Sequence, residues 1–100
     1  MRTMLKVTVP VEQGNRAIVE GALPRVIQDT IERIKPEASY FTIEAGKRTA
    51  FFVFDMTDAS QMPQIGEPLF MTLGAGIELT PVMTAQDLQQ GLAGLAPPKR

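Results

Sequence analysis

Cysteine and histidine are both absent from this chain of 100 residues. Their absence excludes disulfide bonds, thiolate nucleophiles, zinc sites of the usual kind and every acid–base scheme that relies on imidazole. The sequence therefore predicts neither a metal site nor a cofactor, and any chemistry the protein performs is expected to be cofactor-free.

Long apolar runs and a strong charge of one sign are also missing. The formal net charge is −1, and no run reaches the roughly 18 apolar residues that a membrane span needs. Residues 49–98 contain no basic side chain, so they offer a phosphate backbone little to bind. We expect a soluble, cytoplasmic protein with neither nucleic acid nor membrane as a partner.

Hydrophobic periodicity in the first half of the chain predicts a strand followed by an interrupted helix. Residues 4–9 alternate between apolar and polar side chains, as a half-buried strand does. Residues 12–34 change to helical spacing, which Gly21 and Pro24 interrupt with a kink or a short break. The apolar stripe of this helix is Val19, Leu23, Ile27, Ile31 and Ile34.

The remainder of the chain predicts three more strands and two more helices. Residues 38–43 and 48–56 are strands joined by a turn at Gly46, and a helix then runs to Leu73 with Ile65, Leu69 and Leu73 inward. Residues 77–82 form a strand in which Pro81 requires a sheet edge. Thr84 caps a last helix, with Asp87 completing a capping box. One domain covers residues 1–96, and residues 97–100 are a frayed tail.

This order of elements is typical of an α+β protein with the ferredoxin-like split βαβ fold, written βαββαβ plus a C-terminal helix. Its sheet is four-stranded and antiparallel, in the order 4-1-3-2, which places the strand containing Pro81 at an edge. With the helices on one side, we expect Leu5, Val7, Val9, Phe41 and Ile43 to be buried beneath them.

The opposite face of the sheet is predicted to be mixed. It would carry Met4, Lys6, Thr8, Tyr40, Thr42, Ala50, Phe52, Phe54, Glu78 and Thr80. A face that combines aromatic and polar groups is either an interface or the wall of a small-molecule cavity. The central strand is apolar on both sides, at Phe51 and Val53 as well as at Phe52, so a second copy of the chain is the simplest cover.

Candidate ligand-binding residues on this face are Lys6, Tyr40, Phe52, Phe54 and Glu78. Tyr40 can donate a hydrogen bond, and a shielded Glu78 can act as a general base. The structural alternative, which we favour, is an ion pair of Lys6 and Glu78, a tyrosine hydroxyl satisfied at a dimer interface, and phenylalanines in the interface core. The catalytic residues stay unassigned.

Two further patterns have competing interpretations. Asp55 and Asp58 are possible oxygen ligands for a metal, but they lie between a strand and a helix, where capping explains them better. Arg48, Phe52 and Val53 mimic part of an RNA-recognition motif, but Ala50 and Asp55 replace the aromatic residues on which bases would stack. We favour capping for the first pattern and no RNA binding for the second.

Three segments resemble a known family: residues 35–41 (KPEASYF), 48–56 (RTAFFVFDM) and 81–84 (PVMT). The chain is similar over residues 1–92 to small uncharacterised bacterial proteins of the dimeric α+β barrel superfamily. The resemblance implies a homodimer in which two ferredoxin-like subunits pack their sheets face to face. Enzymes of that superfamily hold small, often aromatic, substrates in the barrel.

The leading functional hypothesis is therefore a homodimer that binds a small, largely apolar or aromatic molecule between its two sheets. One alternative is a structural or regulatory homodimer without a ligand. Another is an enzyme that resembles the cofactor-free monooxygenases or isomerases.

Overall fold

A computed structural model describes residues 1–95 of the chain as a four-stranded sheet with four helices. The elements, in chain order, are β1 (Arg2–Val9), α1 (Val11–Val19), α2 (Ala22–Ile34), β2 (Ala38–Glu44), β3 (Lys47–Asp55), α3 (Gln61–Leu73), β4 (Gly76–Pro81) and α4 (Ala85–Ala93). The predicted domain end at residue 96 and the tail, residues 97–100, lie outside the described residues. None of the four helices has the length and apolarity needed to cross a membrane.

The α+β class and the strand order are confirmed. All three strand pairings are antiparallel, and the order β2-β3-β1-β4 is the predicted order 4-1-3-2 listed from the opposite edge. β4 lies at an edge, where Pro81 has one side without a strand neighbour. Its missing N–H therefore costs the sheet little.

The predicted interruption of the first helix separates α1 from α2. Gly21 adopts a left-handed conformation with φ of 75°, which costs a residue without a Cβ little. Pro24 lies within the first turn of α2, where the missing N–H has no intrahelical partner to lose. Glycine therefore makes the break, and proline is accommodated just after it.

The face predicted for Ala50, Phe52 and Phe54 is wrong. Phe52 pairs directly with Leu5, and Ala50 with Val7, so they share the face that the helices cover. Phe52 is fully buried and Phe54 is 2% exposed. Phe52 and Phe54 therefore form the core beneath the helices, together with Leu69 and Leu73 of α3.

Two predicted burial patterns also need correction. Val19, at the end of α1, is 87% exposed, because the break at Gly21 takes it off the stripe that α2 buries. Phe41 and Ile43 of β2 do point to the helix side, but they are 60% and 77% exposed. The helices cover β1 and β3 and leave this side of β2 open.

α3 and α4 differ in what they bury. The predicted α3 stripe of Ile65, Leu69 and Leu73 is confirmed, since each is at most 3% exposed. The predicted capping box of α4 is also confirmed: Thr84 Oγ1 accepts from the Asp87 amide at 3.1 Å, and the Thr84 amide donates to Asp87 Oδ2 at 3.0 Å. Yet no residue of α4 is buried.

The α4 capping box predicts an acid-sensitive helix start. Hydrogen bonding from Thr84 lowers the pKa of Asp87 below 3.8. A carboxylate with a lowered folded-state pKa stabilises the helix above its unfolded-state pKa, and that contribution is lost as the pH falls through the folded value. We expect the Thr84 amide NMR resonance to titrate with a midpoint below 3.8.

Asp87→Asn provides the control for this titration. The variant keeps the size of the side chain but has no proton to bind in this range, so the Thr84 amide shift should not change with pH. An unchanged titration in Asp87→Asn would contradict the assignment.

Candidate binding face

Within residues 1–95, α1, α2 and α3 pack on one face of the sheet, and no helix packs closely on the other face. We call it the open face. Alternation along the strands places the following side chains on it: Met4, Lys6, Thr8, Tyr40, Thr42, Thr49, Phe51, Val53, Glu78 and Thr80. Phe52 and Phe54 are not among them, so two of the predicted ligand-binding candidates lie in the core instead.

Strand register brings the other three candidates into one row across the open face. Tyr40 of β2 pairs with Phe51 of β3, Phe51 pairs with Lys6 of β1, and Lys6 pairs with Glu78 of β4. Neighbouring strands lie about 4.8 Å apart, so the row spans the whole sheet. An aromatic pair lies at one end and a charged pair at the other.

Lys6 is the electrostatic centre of this row. Its Nζ lies 2.5 Å from Glu44 Oε1 and 3.9 Å from Glu78 Oε2, and 5.8 Å from the centre of the Phe51 ring. The hydrogen bond to Glu44 raises the pKa of Lys6 above 10.5. Lys6 is therefore a permanent cation at neutral pH, which suits it to binding an acceptor and not to acting as a base or nucleophile.

Tyr40 and Glu78 are more exposed than Lys6. Tyr40 is 67% exposed, and the Glu78 side chain is 71% exposed. A general base of the kind predicted at Glu78 needs shielding from water. The single chain does not provide that shielding, so only a molecule placed over the open face would do so.

Sequence analysis missed Phe51 and Glu44 as members of this site. The turn at Ala45 and Gly46 fixes the position of Phe51. In the structure both turn residues have positive φ, 52° and 75°. This is the pattern of a two-residue turn that pairs the residues on either side of it. Counting outwards from the Glu44 and Lys47 pair places Tyr40 opposite Phe51.

The two aspartates considered as metal ligands have local partners. Asp58 Oδ1 accepts from the backbone amide of Ser60 at 2.8 Å, and this hydrogen bond lowers the pKa of Asp58 below 3.8. Asp55 Oδ1 lies 2.6 Å from the amino nitrogen of Met1. Both contacts support the structural interpretation of this segment.

A second concave region lies on the opposite side of the sheet, where the helices leave β2 uncovered. We call it the helix-side groove. It is lined mainly by apolar side chains, Val7, Val9, Leu23, Ile27, Phe41 and Ala50, and its volume is about 230 Å³. The Phe41 ring stands edge-on to Phe52 at 5.8 Å, so the groove borders the core directly.

Comparison of the chain with protein-family models, with curated proteins and with solved structures finds no match. The resemblance to dimeric α+β barrel proteins therefore stays a prediction from the sequence.

Proposed function

We propose that the protein is a homodimer whose two open faces meet and hold a small, largely apolar or aromatic molecule between them. The observation that carries this proposal is the row of Tyr40, Phe51, Lys6 and Glu78 across the open face. The family resemblance led to the same arrangement from different evidence.

The apolar side chains that lie beside Lys6 on the open face support the dimer. Met4, Phe51 and Val53 lie on the two inner strands, and Met4 pairs directly with Val53. An apolar patch at the centre of a sheet with polar groups around it is typical of a protein interface. Thr42, Glu78 and Thr80 supply the polar surroundings on the two edge strands.

The side chains of the row define the chemistry of the ligand. Phe51 and Tyr40 present aromatic surface, and rings of this kind favour stacked or edge-on contact with another ring. Lys6 adds one fixed positive charge beside Phe51. The best match is an aromatic or apolar molecule that carries one anionic or strongly hydrogen-bond-accepting group.

A structural dimer without a ligand is the second candidate, and the contacts of Lys6 favour it. Two carboxylates, Glu44 and Glu78, already lie within 4 Å of the ammonium group. A cation that its own chain neutralises has less to gain from an anionic ligand. The two candidates therefore differ in whether a ligand competes with Glu44 for Lys6.

An anionic aromatic probe distinguishes the two candidates. We expect 8-anilinonaphthalene-1-sulfonate to bind the native protein with enhanced fluorescence. Lys6→Gln removes the cation beside Phe51, and a cation–π contact and ion pair of this size are worth about 1 kcal/mol. The variant should therefore bind the probe roughly fivefold more weakly.

Lys35→Gln is the matched control. Lys35 is exposed at the end of α2, away from the open face, and its loss changes the net charge equally. The control should bind the probe as the unmodified protein does. A native dimer that does not bind the probe, or equal weakening by both substitutions, would contradict the ligand site.

A further inference from the structure

The helix α4 has an apolar side that the other described residues, within 1–95, leave exposed. Leu88 and Leu92 lie one turn apart and are 46% and 55% exposed, and Leu95 just beyond the helix is 67% exposed. Spacing of i, i+4 and i+7 places the three leucines on one side of a helix. The Cα radius of gyration, 16.8 Å, exceeds the roughly 13 Å of a compact domain of this size.

The polar residues of α4 also indicate that the helix is packed against something apolar. Asp87 is the only charged residue between Ala85 and Leu95. Its carboxylate takes part in the capping box at the helix start, and its Oδ2 lies 3.6 Å from Arg2 Nη1. A helix that stands in water normally carries charges on most of its surface. The rest of α4 is alanine, glycine, glutamine and leucine.

The helix-side groove has the chemistry that this apolar stripe requires. Its lining is apolar except for two threonines and Arg48, and Arg48 already binds Asn15 Oδ1 at 3.1 Å. The volume of about 230 Å³ lies below the range of roughly 300–1,000 Å³ for small-molecule pockets. It suits inserted leucine side chains better than a whole ligand. The open face, with its charged row, suits the stripe less well.

The α4 helix of the same chain does not reach this groove in the structure. The contact of Asp87 with Arg2 holds the start of α4 on the open-face side of β1. The groove lies on the opposite side of the sheet, and Val7 in its lining is about 17 Å further along β1 at 3.3 Å per residue.

We propose that α4 of one copy packs its leucine stripe into the helix-side groove of a second copy, and that the exchange is reciprocal. The inference rests on the proposed homodimer and deepens it by assigning an interface role to α4. Each copy would then cover the exposed Phe41 of the other. The dimer would be held by α4 as well as by the open faces.

Single cysteines test this arrangement cleanly, because the natural chain has none. Phe41→Cys and Leu92→Cys are co-expressed with different affinity tags and treated with a short bismaleimide cross-linker. We expect a cross-linked heterodimer between the two variants. Tyr40→Cys, whose side chain lies on the open face of β2 and does not line the groove, replaces Phe41→Cys in the control and should give little product.

Each outcome of the cross-linking has a separate meaning. More product with Tyr40→Cys than with Phe41→Cys would place α4 on the open face. An intramolecular link in the Phe41→Cys/Leu92→Cys double variant would place α4 on its own chain. Either result overturns the inference. Light scattering of the unmodified protein is measured in parallel: a dimer without the expected link refutes only the α4 inference, whereas a monomer refutes the proposed function too.

A second variant tests the same contact without cysteines. Leu88→Gln/Leu92→Gln removes the apolar stripe, and the fold of each chain should survive because α4 has no buried residue in the described part of the chain. We expect the dissociation constant of the dimer to rise at least tenfold. A dimer of unchanged affinity would show that the stripe does not contribute to the interface.

Discussion

Phe52→Ala is expected to lower the free energy of unfolding by about 3–5 kcal/mol, the usual cost of replacing a buried phenylalanine with alanine. The side chain is fully buried beneath the helices, and its ring stands edge-on to the ring of Phe41. Since small domains are stable by only about 5–15 kcal/mol, this one substitution should remove a large share of the stability. Urea unfolding followed by circular dichroism measures the effect.

Phe51→Ala is the matched control, because it changes the same residue type one position away on the opposite face. Phe51 is only partly buried in the single chain. At low protein concentration it should cost at least about 2 kcal/mol less than Phe52→Ala, since less apolar area returns to water. Equal or reversed costs would mean that the assignment of the two faces of β3 is wrong.

Val53→Arg is expected to convert the proposed dimer to a monomer while each chain stays folded. Val53 lies on an inner strand of the open face, opposite Met4. An unpaired charge placed in the middle of an apolar interface costs several kcal/mol. The dissociation constant should therefore rise by at least about a hundredfold, as measured by sedimentation velocity over a range of concentrations.

Gln28→Arg adds the same side chain to the exposed surface of α2 and serves as the control for Val53→Arg. Gln28 hydrogen-bonds only to Glu32, at 3.3 Å, among the contacts of the described residues. This variant should associate as the unmodified protein does. If Val53→Arg also associates normally, the open face is not where a second copy binds.

Local chemistry made some features of this fold predictable from the sequence. The capping box of α4 needs only Thr84 and Asp87, three residues apart, and both hydrogen bonds are present. Pro81 restricted β4 to an edge because of its own missing N–H. Gly21 and Pro24 marked the break between α1 and α2, which Gly21 makes by adopting positive φ. In each case the cause lies within a few residues of the effect.

The sheet faces depended on contacts between distant parts of the chain. Alternation shows that Ala50, Phe52 and Phe54 share a face, but not which face of β1 they join. That choice depends on the register of Leu5 with Phe52, across 47 positions and two helices. A shift of the register by one residue turns these side chains to the opposite face. That shift assigned Phe52 and Phe54 to the binding site and omitted Phe51.

Lys6 has one contact that the sequence predicted and one that it did not. Its pairing with Glu78 followed from the predicted strand order, and the two residues are direct neighbours. The closer carboxylate, Glu44, lies at the end of β2, two strands from Lys6. Its side chain reaches Lys6 diagonally across β3, a contact that depends on side-chain conformation as well as on register.

The central claim is that a second copy of the chain covers the open face, and sedimentation equilibrium of the unmodified protein tests it most directly. We expect a mass of twice the 10.9 kDa of one chain at micromolar concentration, with dissociation only on strong dilution. A mass of 10.9 kDa at every concentration would contradict it. The open face would then be a solvent-exposed surface of a monomer.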